Sequence, residues 1–452
     1  MRRWLRLVLL PLVAFLVAAL FAVPAGAQPV QPAFTDAGGI HVVSAQQVDD
    51  RLWSLSVSTP ALGRAVRVRV LLPTGYADNP EQRYPVLYLF HGTSGGPDDW
   101  LNQGDAAQTT AGRPLVVVMP DAGFDNDGGS WFTNWYDTHT ALGPSQWETF
   151  HIDQLIPWVD ANIRTVADRS GRAIAGLSQG GFGAMSYAAR HPDMFAAAAS
   201  FSGAPDIDRD PVVVPVSTGV IEGTAAYLDG VEPVAMFGPR LTNEINWSAH
   251  DPATLSTNLR GTSLFMWTAT GLPGPYDTAP NPTASAIEAI THLSTVLFHE
   301  HLQQEGIPSY YDDYVLGTHI FPYWARDLRE FVGPLMDVFA HPSTPTTISY
   351  RSTDATWHQW GWSVTDQRAV RQAFTGIADA NAGGFTLTGL GSADVTTPAF
   401  YLPGSVHQVT LRGATGATVS FASADGAGRL RLQVPLTSAL TLGPGTSTVT
   451  IG

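Results

Sequence analysis

Cysteine is absent from the 452 residues of this chain. Disulfides and thiolate-held metals are therefore excluded, and the compartment has to be read from another part of the sequence. Charge is sparse too: Asp, Glu, Lys and Arg are 14% of the residues, and the basic ones are the minority, 24 Lys and Arg against 39 Asp and Glu. A formal net charge of −15 offers no basic field to neutralise phosphates, so nucleic acid is not an expected partner. Metal-binding patterns are also lacking. The oxygen-rich turn Asp125-Asn126-Asp127-Gly128-Gly129 has incomplete ligand spacing for calcium and no terminal bidentate glutamate, so it is expected to be a turn lining a cleft. No metal and no cofactor are expected.

The chain is rich in other things. With 44% hydrophobic residues it can bury a sizeable core, and 44 Gly and 33 Pro imply long surface loops around it. Its length exceeds one ordinary domain. Residues 1–27 read as a cleaved signal peptide: Arg2, Arg3 and Arg6 precede the apolar run Leu7 to Val23, and Ala25-Gly26-Ala27 supplies a small-x-small cleavage site. A retained membrane anchor is the alternative, since the run is near the lower limit for spanning a bilayer. Export is expected on either reading.

The motif that organises the rest is Gly176-Leu177-Ser178-Gln179-Gly180. The apolar segment before it reads as a strand and Ala184 to Arg190 after it as a helix, ended by His191-Pro192. A sharp strand-to-helix turn holds a serine hydroxyl exposed in a strained backbone, as a nucleophile requires, and puts the Gln179 amide at a helix N-terminus facing a developing oxyanion. Upstream, Pro85 to Phe90 and Leu115 to Met119 are continuously apolar, as strands covered on both faces are. Leu52 to Ser58 and Val66 to Leu72 alternate and read as opening antiparallel strands. The loop His91 to Trp100 follows the first buried strand, where the second oxyanion donor belongs, and the amide of Thr93 is nominated. Glu148 to Val166 has helical spacing, and Gly203 to Arg260 reads as an insertion of the lid or substrate-binding kind.

A serine nucleophile needs a base and a group to orient it, in the chain order Ser, acid, His for this fold. His319 fits the base, in a loop after a late strand and before the helix beginning near Pro322; His250, His299 and His301 are weaker candidates. For the acid, Asp277 follows the strand ending near Ala269, while Glu288 lies near the start of the next helix on an apolar stretch where an unpaired carboxylate is costly. Spacing alone leaves these two nearly even. After Pro342-Ser343-Thr344-Pro345 the composition turns to Thr, Ser, Gly and Val in short alternating segments, which predicts a β-sandwich. Trp357, Trp360 and Trp362 there suit either core packing or an exposed glycan-binding face, with packing favoured.

Taken together, Tyr88-Leu89-Phe90-His91-Gly92, Asn134-Trp135-Tyr136, Trp147-Glu148-Thr149-Phe150, Gly176-Leu177-Ser178, Met236-Phe237-Gly238-Pro239, Asp251-Pro252 and Gly317-Thr318-His319 resemble the secreted mycolyltransferases of antigen-85 type and the broader esterase D-like serine esterases. The similarity runs over roughly residues 50 to 340. It implies Ser178 as nucleophile, His319 as base, Glu288 as acid with Asp277 in reserve, and the amides of Thr93 and Gln179 as oxyanion donors. Substrate contacts are implied at His91, Ser94, Trp135, Ile320 and Phe321. Two departures bear on the acceptor: His91 and Ser94 replace a sugar-contacting aspartate and an arginine of the mycolyltransferases, and Ile320 replaces their serine after the histidine.

The expected architecture is α/β: an α/β-hydrolase fold over residues 28–340, then a smaller all-β domain over 341–452. The expected activity is transfer of a fatty or mycolic acyl group from an ester or lipid donor to a sugar or glycerol hydroxyl in the cell envelope. Hydrolysis with water as acceptor is the alternative, and a non-catalytic glycan-binding envelope protein is the reading from another class.

Overall fold

The computed structural model describes residues 30–124, 128–370, 372–413, 416–437 and 443–452. The candidate signal peptide and the Asp125-Asn126-Asp127 turn lie outside the described residues. Among those described, no helix is long and apolar enough to cross a membrane.

Nine strands form one sheet: β1 His41–Gln47, β2 Leu52–Ser58, β3 Val66–Leu71, β4 Val86–Phe90, β5 Val116–Pro120, β6 Arg172–Leu177, β7 Ala197–Phe201, β8 Ser263–Thr268 and β9 Ser309–Asp313. Their order is β1-β2-β3-β5-β4-β6-β7-β8-β9. The first three pair antiparallel, and β3 meets β5 antiparallel; from β5 to β9 every pairing is parallel. The helices are α1 Asp99–Asn102, α2 Ala106–Thr109, α3 Ile156–Asn162, α4 Gln179–Arg190, α5 Val214–Gly223, α6 Arg240–Ser248, α7 Pro282–Gln304 and α8 Phe321–Ala340.

The continuously apolar strands are the central ones, and both of their faces are covered, as their composition requires. In β4, Val86, Tyr88 and Phe90 enter one hydrophobic core while Leu87 and Leu89 enter the other. The first core packs α3, α4 and the insertion against the sheet; the second packs α8 and Trp100 of α1. Because β5 and β6 flank β4, the strand order reverses around β4. Ligands in open α/β sheets bind beyond the carboxyl ends of strands at such a switch point. The segments after β4 and β6 meet there.

One element departs from the expected helix over 148–166. Thr149–Leu155 is π-helical and passes into α3 at Ile156. Pro157, in the first turn of α3, has no N–H to donate back to residue 153, so the usual ladder is interrupted at that point. Within the π turn His151 is buried. Its Nε2–H donates to the carbonyl of Asp121 (2.9 Å) and its Nδ1 accepts from the Tyr187 hydroxyl (3.0 Å). Burial drives its pKa down to about 3. In the unfolded chain the imidazole titrates near its ordinary value of about 6.5. Between those values the unfolded state binds the extra proton, so this residue's contribution to stability is present above pH ~6.5 and is lost as the pH falls toward 3. We predict that His151→Gln reduces the difference in urea midpoint between pH 7 and pH 5. Comparing the two proteins at both values cancels the other titrating groups.

The described residues of the C-terminal part form two antiparallel sheets, of six and four strands. The alternating segments Gly384 to Thr388, Val406 to Arg412, Ala417 to Ala422 and Leu430 to Val434 overlap strands Gly384–Gly389, Val406–Gly413, Gly416–Ser423 and Arg431–Pro435. Trp357 and Trp362 are buried in the core between the sheets. Trp360 lies under the Arg169 guanidinium, 4.9 Å from the ring centroid, and its amide donates to Asp193. Tyr350 reaches the carbonyl of Arg190 at the end of α4 (2.8 Å). All three tryptophans therefore serve packing, and no glycan-binding face is made of them.

Candidate active site

Ser178 links β6 to α4 with φ 53° and ψ −123°, a conformation that L-residues rarely adopt and that persists only when the surroundings enforce it. Its amide donates to Phe201 of β7 (2.9 Å), and its carbonyl accepts from Gly181 and Phe182. The flanking glycines are required sterically. A Cβ on Gly176 would sit 2.3 Å from the carbonyl oxygen of Gly180, and one on Gly180 would sit 2.4 Å from that of His91. Both obstacles are backbone and cannot rotate away. Gly176→Ala is predicted to cost about 3 kcal/mol or more, the upper range for overpacking, read as a lowered urea midpoint with unchanged slope.

Glu288 lies on the first turns of α7 and is fully buried. Its Oε1 accepts from Ser202 Oγ (2.8 Å), the amide of Ala269 (2.8 Å) and Thr268 Oγ1 (3.4 Å). These donors come from the carboxyl ends of β7 and β8. Its Oε2 is 2.7 Å from Nδ1 of His319. Four donors converging on two oxygens suit an acceptor-only carboxylate, so Nδ1 carries the hydrogen and Nε2 presents its lone pair. Nε2 is buried and has no hydrogen-bond partner among the described residues. His319 is seated by its amide on the carbonyl of Ala284 (3.2 Å) and by the edge of Trp324, 4.8 Å between centroids. Ser178 and His319 line the same cavity, of about 720 Å³. They are not hydrogen-bonded to each other; catalytic bonds of this kind commonly tighten only with substrate in place.

Asp277, the reserve acid, does not reach His319. It accepts from Thr318 Oγ1, the Tyr323 hydroxyl (2.6 Å) and the Gly274 amide (2.8 Å), so it braces the loop just before the histidine. The weaker histidines are elsewhere: His250 contacts Thr133 and Asn246, His299 stacks on Tyr311, and His301 pairs with Ser256 and Glu305.

Thr93 and Gln179 both line the cavity, and their amides have no other acceptor among the described residues. The Gln179 side chain ties their two loops together. Its Nε2 donates to Thr93 Oγ1 (3.1 Å) and to the Gly128 carbonyl (3.3 Å), and its Oε1 accepts from the Trp131 amide (3.3 Å).

The five expected substrate contacts separate. Ser94 and Phe321 line the cavity; His91, Trp135 and Ile320 do not. His91 is buried, with Nδ1–H on the carbonyl of Gly92 (2.8 Å) and Nε2 accepting from the Ala122 amide (2.8 Å), and burial pushes its pKa down. Both nitrogens are thus used by backbone. Trp135 is buried and donates to the carbonyl of Ser130 (3.1 Å). Ile320 is the extended residue that starts α8. Sequence reading missed Ser202, which no motif announces, and the aliphatic wall contributed by Val216 and Val220 of α5 and Ile287, Ile290 and Leu293 of α7. Apolar spacing on α7 was the available signal for the last three.

Residues 59–334 match the protein family described as "Esterase: Putative esterase". Esterase Rv1288 of Mycobacterium tuberculosis is 35% identical over 294 residues, 64% of this chain, and the chain spans 59% of that relative's length. The MPT51/MPB51 antigen of Mycobacterium bovis is 31% identical over 63% of this chain and 86% of its own length. Diacylglycerol acyltransferase/mycolyltransferase Ag85B of Mycobacterium leprae is 29% identical, over 61% of this chain and 80% of its own. Among solved structures, Mycobacterium tuberculosis MPT51 superposes with a TM-score of 0.51 at 26% identity, covering 66% of this chain and 99% of the other.

Proposed function

We propose, from the premise that this chain belongs to the "Putative esterase" family, that it is a serine acyltransferase or esterase working through an acyl-enzyme. One observation carries the reading: a buried glutamate holds Nδ1 of an imidazole that lines the same cavity as a strained serine and leaves its Nε2 without a hydrogen-bond partner among the described residues. Ser178 Oγ attacks an ester carbonyl and its proton passes to His319 Nε2. The amides of Thr93 and Gln179 hold the oxyanion. Collapse expels the donor alcohol, which takes the proton from Nε2, and leaves the acyl group on Ser178 along the aliphatic wall. An acceptor hydroxyl then gives its proton to Nε2, attacks the acyl carbonyl and regenerates the serine.

The acceptor is a sugar or glycerol hydroxyl in the transferase reading and water in the hydrolase reading. A specific observation favours water: His91, at the position of the sugar-contacting aspartate, has both ring nitrogens occupied by backbone and contributes nothing to the cavity. Export to the cell envelope, supported by the Met1 to Ala27 pattern, and assignment of the acyl chemistry to residues 28–340 with 341–452 as a separate unit belong to the same proposal. Offering a short-chain aryl ester with and without trehalose or glycerol tests it. Acyl-alcohol product that rises with alcohol concentration supports transfer; free acid alone supports hydrolysis; no turnover of any ester contradicts both.

A further inference from the structure

The insertion between β7 and β8 carries a surface that the reaction at Ser178 does not require. From Pro211 to Leu228 the chain reads PVVVPVSTGVIEGTAAYL, with Glu222 its only charged residue. It is also exposed: Val212 is 62%, Tyr227 88% and Leu228 50% accessible. These three stand outside the cavity wall but flank wall residues Val213 and Thr224 in the chain. Val216 and Val220 of α5, with Ile287, Ile290 and Leu293 of α7, do both jobs, lining the cavity while remaining partly open to solvent. The inward side of α5 is already provided for by buried Ile221.

An exposed apolar surface continuous with a ligand cavity marks an interaction site. Two features of this one select its partner. Pro211 to Leu228 holds no Lys or Arg, and Arg240, which reaches Thr218 of α5, is spent on Asp208, Glu244 and the carbonyl of Ile207, so attraction has to come chiefly from apolar burial. Five of its residues, Val216, Val220, Ile287, Ile290 and Leu293, are exposed and line the cavity as well, so a hydrocarbon chain moving inward would meet apolar side chains at the mouth. A protein seated on the same residues would close the cavity.

We propose that Val212, Tyr227 and Leu228, with the outer faces of α5 and α7, dock on an uncharged lipid surface, from which an ester-linked acyl chain passes into the cavity beside Ser178. The proposal rests on the acyl-ester reading above and names where the donor comes from.

The test is flotation of the full chain with phosphatidylcholine vesicles carrying dioleoylglycerol, together with turnover of a vesicle-embedded ester and of a water-soluble aryl ester. The wild-type protein floats. Val212→Asp/Tyr227→Asp/Leu228→Asp reduces partitioning about tenfold or more, reduces turnover of the embedded ester in parallel, and leaves kcat/KM for the soluble ester unchanged. Tyr227→Ser, at the most exposed of the three positions, gives a smaller loss in the same direction and guards against misfolding of the triple variant. Ser178→Ala floats like wild type but turns over neither ester, which separates docking from chemistry; wild-type protein that floats yet turns over neither ester overturns the acyl-ester reading but not the surface. Failure of the wild type to float, or equal flotation of the variants, overturns the proposal. So does a concentration-dependent wild-type dimer that the triple variant loses, which would assign the patch to a second copy.

Discussion

Ser178→Ala lowers kcat/KM for a short-chain aryl ester by about 10⁴-fold or more, and adding His319→Ala to that variant lowers it by less than about threefold further. The second half of this result carries the weight. Groups that act as one unit are not additive: once the hydroxyl is gone, a base with nothing to deprotonate contributes nothing. Residual turnover then comes from the oxyanion amides and from binding. The fold is expected to survive, because alanine keeps the Cβ and inherits the same positive φ, while the amide and carbonyl contacts of residue 178 to Phe201, Gly181 and Phe182 involve backbone only. Equal melting temperatures for the parent and Ser178→Ala would establish that the loss is chemical.

Glu288→Gln has the second largest effect, a fall in kcat of about 10³- to 10⁴-fold with KM little changed. The cause is the count of hydrogens between the two side chains. Three donors, from Ser202, Thr268 and Ala269, converge on Oε1, so the amide oxygen of glutamine has to take that place. Its NH₂ is then turned toward Nδ1 of His319, where Oε2 had accepted at 2.7 Å. Nδ1 must now accept, which moves the ring hydrogen to Nε2. The imidazole keeps its position but cannot take the proton of Ser178. Glu288→Ala is a poorer probe, since it also strands three buried donors and mixes instability with the catalytic defect. By contrast Asp277→Asn, on the loop brace, is expected to cost far less activity, because its partners are Thr318, Tyr323 and Gly274 and not the imidazole. Steady-state kinetics of both variants against one soluble ester would rank them, and the reverse order would move the acid to Asp277.

How much of this was legible in the sequence depends on how local the determining interactions are. The strand-to-helix turn at Ser178 was legible because its whole logic fits within a few residues: an apolar strand, two glycines whose Cβ atoms would strike backbone, and a helix start. The central strands were legible because burial on both faces leaves a continuous apolar run. Spacing left Glu288 and Asp277 even, since each is a post-strand carboxylate, and only the family resemblance chose Glu288; the physical difference is the donors from the ends of β7 and β8, far away in the chain. Ser202 is invisible for the same reason. His91, Trp135 and Ile320 show the opposite failure. They sit beside motif residues, yet proximity in sequence does not say which way a side chain points, and backbone acceptors had already taken the first two. The aliphatic wall of α5 is a third kind of case. Its valines, prolines and glycines give weak periodicity, and only the tertiary structure makes them one side of a cavity.

On the proposed function, Ser178, His319 and Glu288 act as one device making a single hydroxyl nucleophilic. Labelling the folded protein with a fluorophosphonate and mapping the adduct by mass spectrometry tests it most directly. The account predicts one adduct per chain, on Ser178, formed far more slowly in His319→Ala and in Glu288→Gln. An unlabelled Ser178 in the folded wild-type protein, or labelling equally fast in both variants, would contradict it.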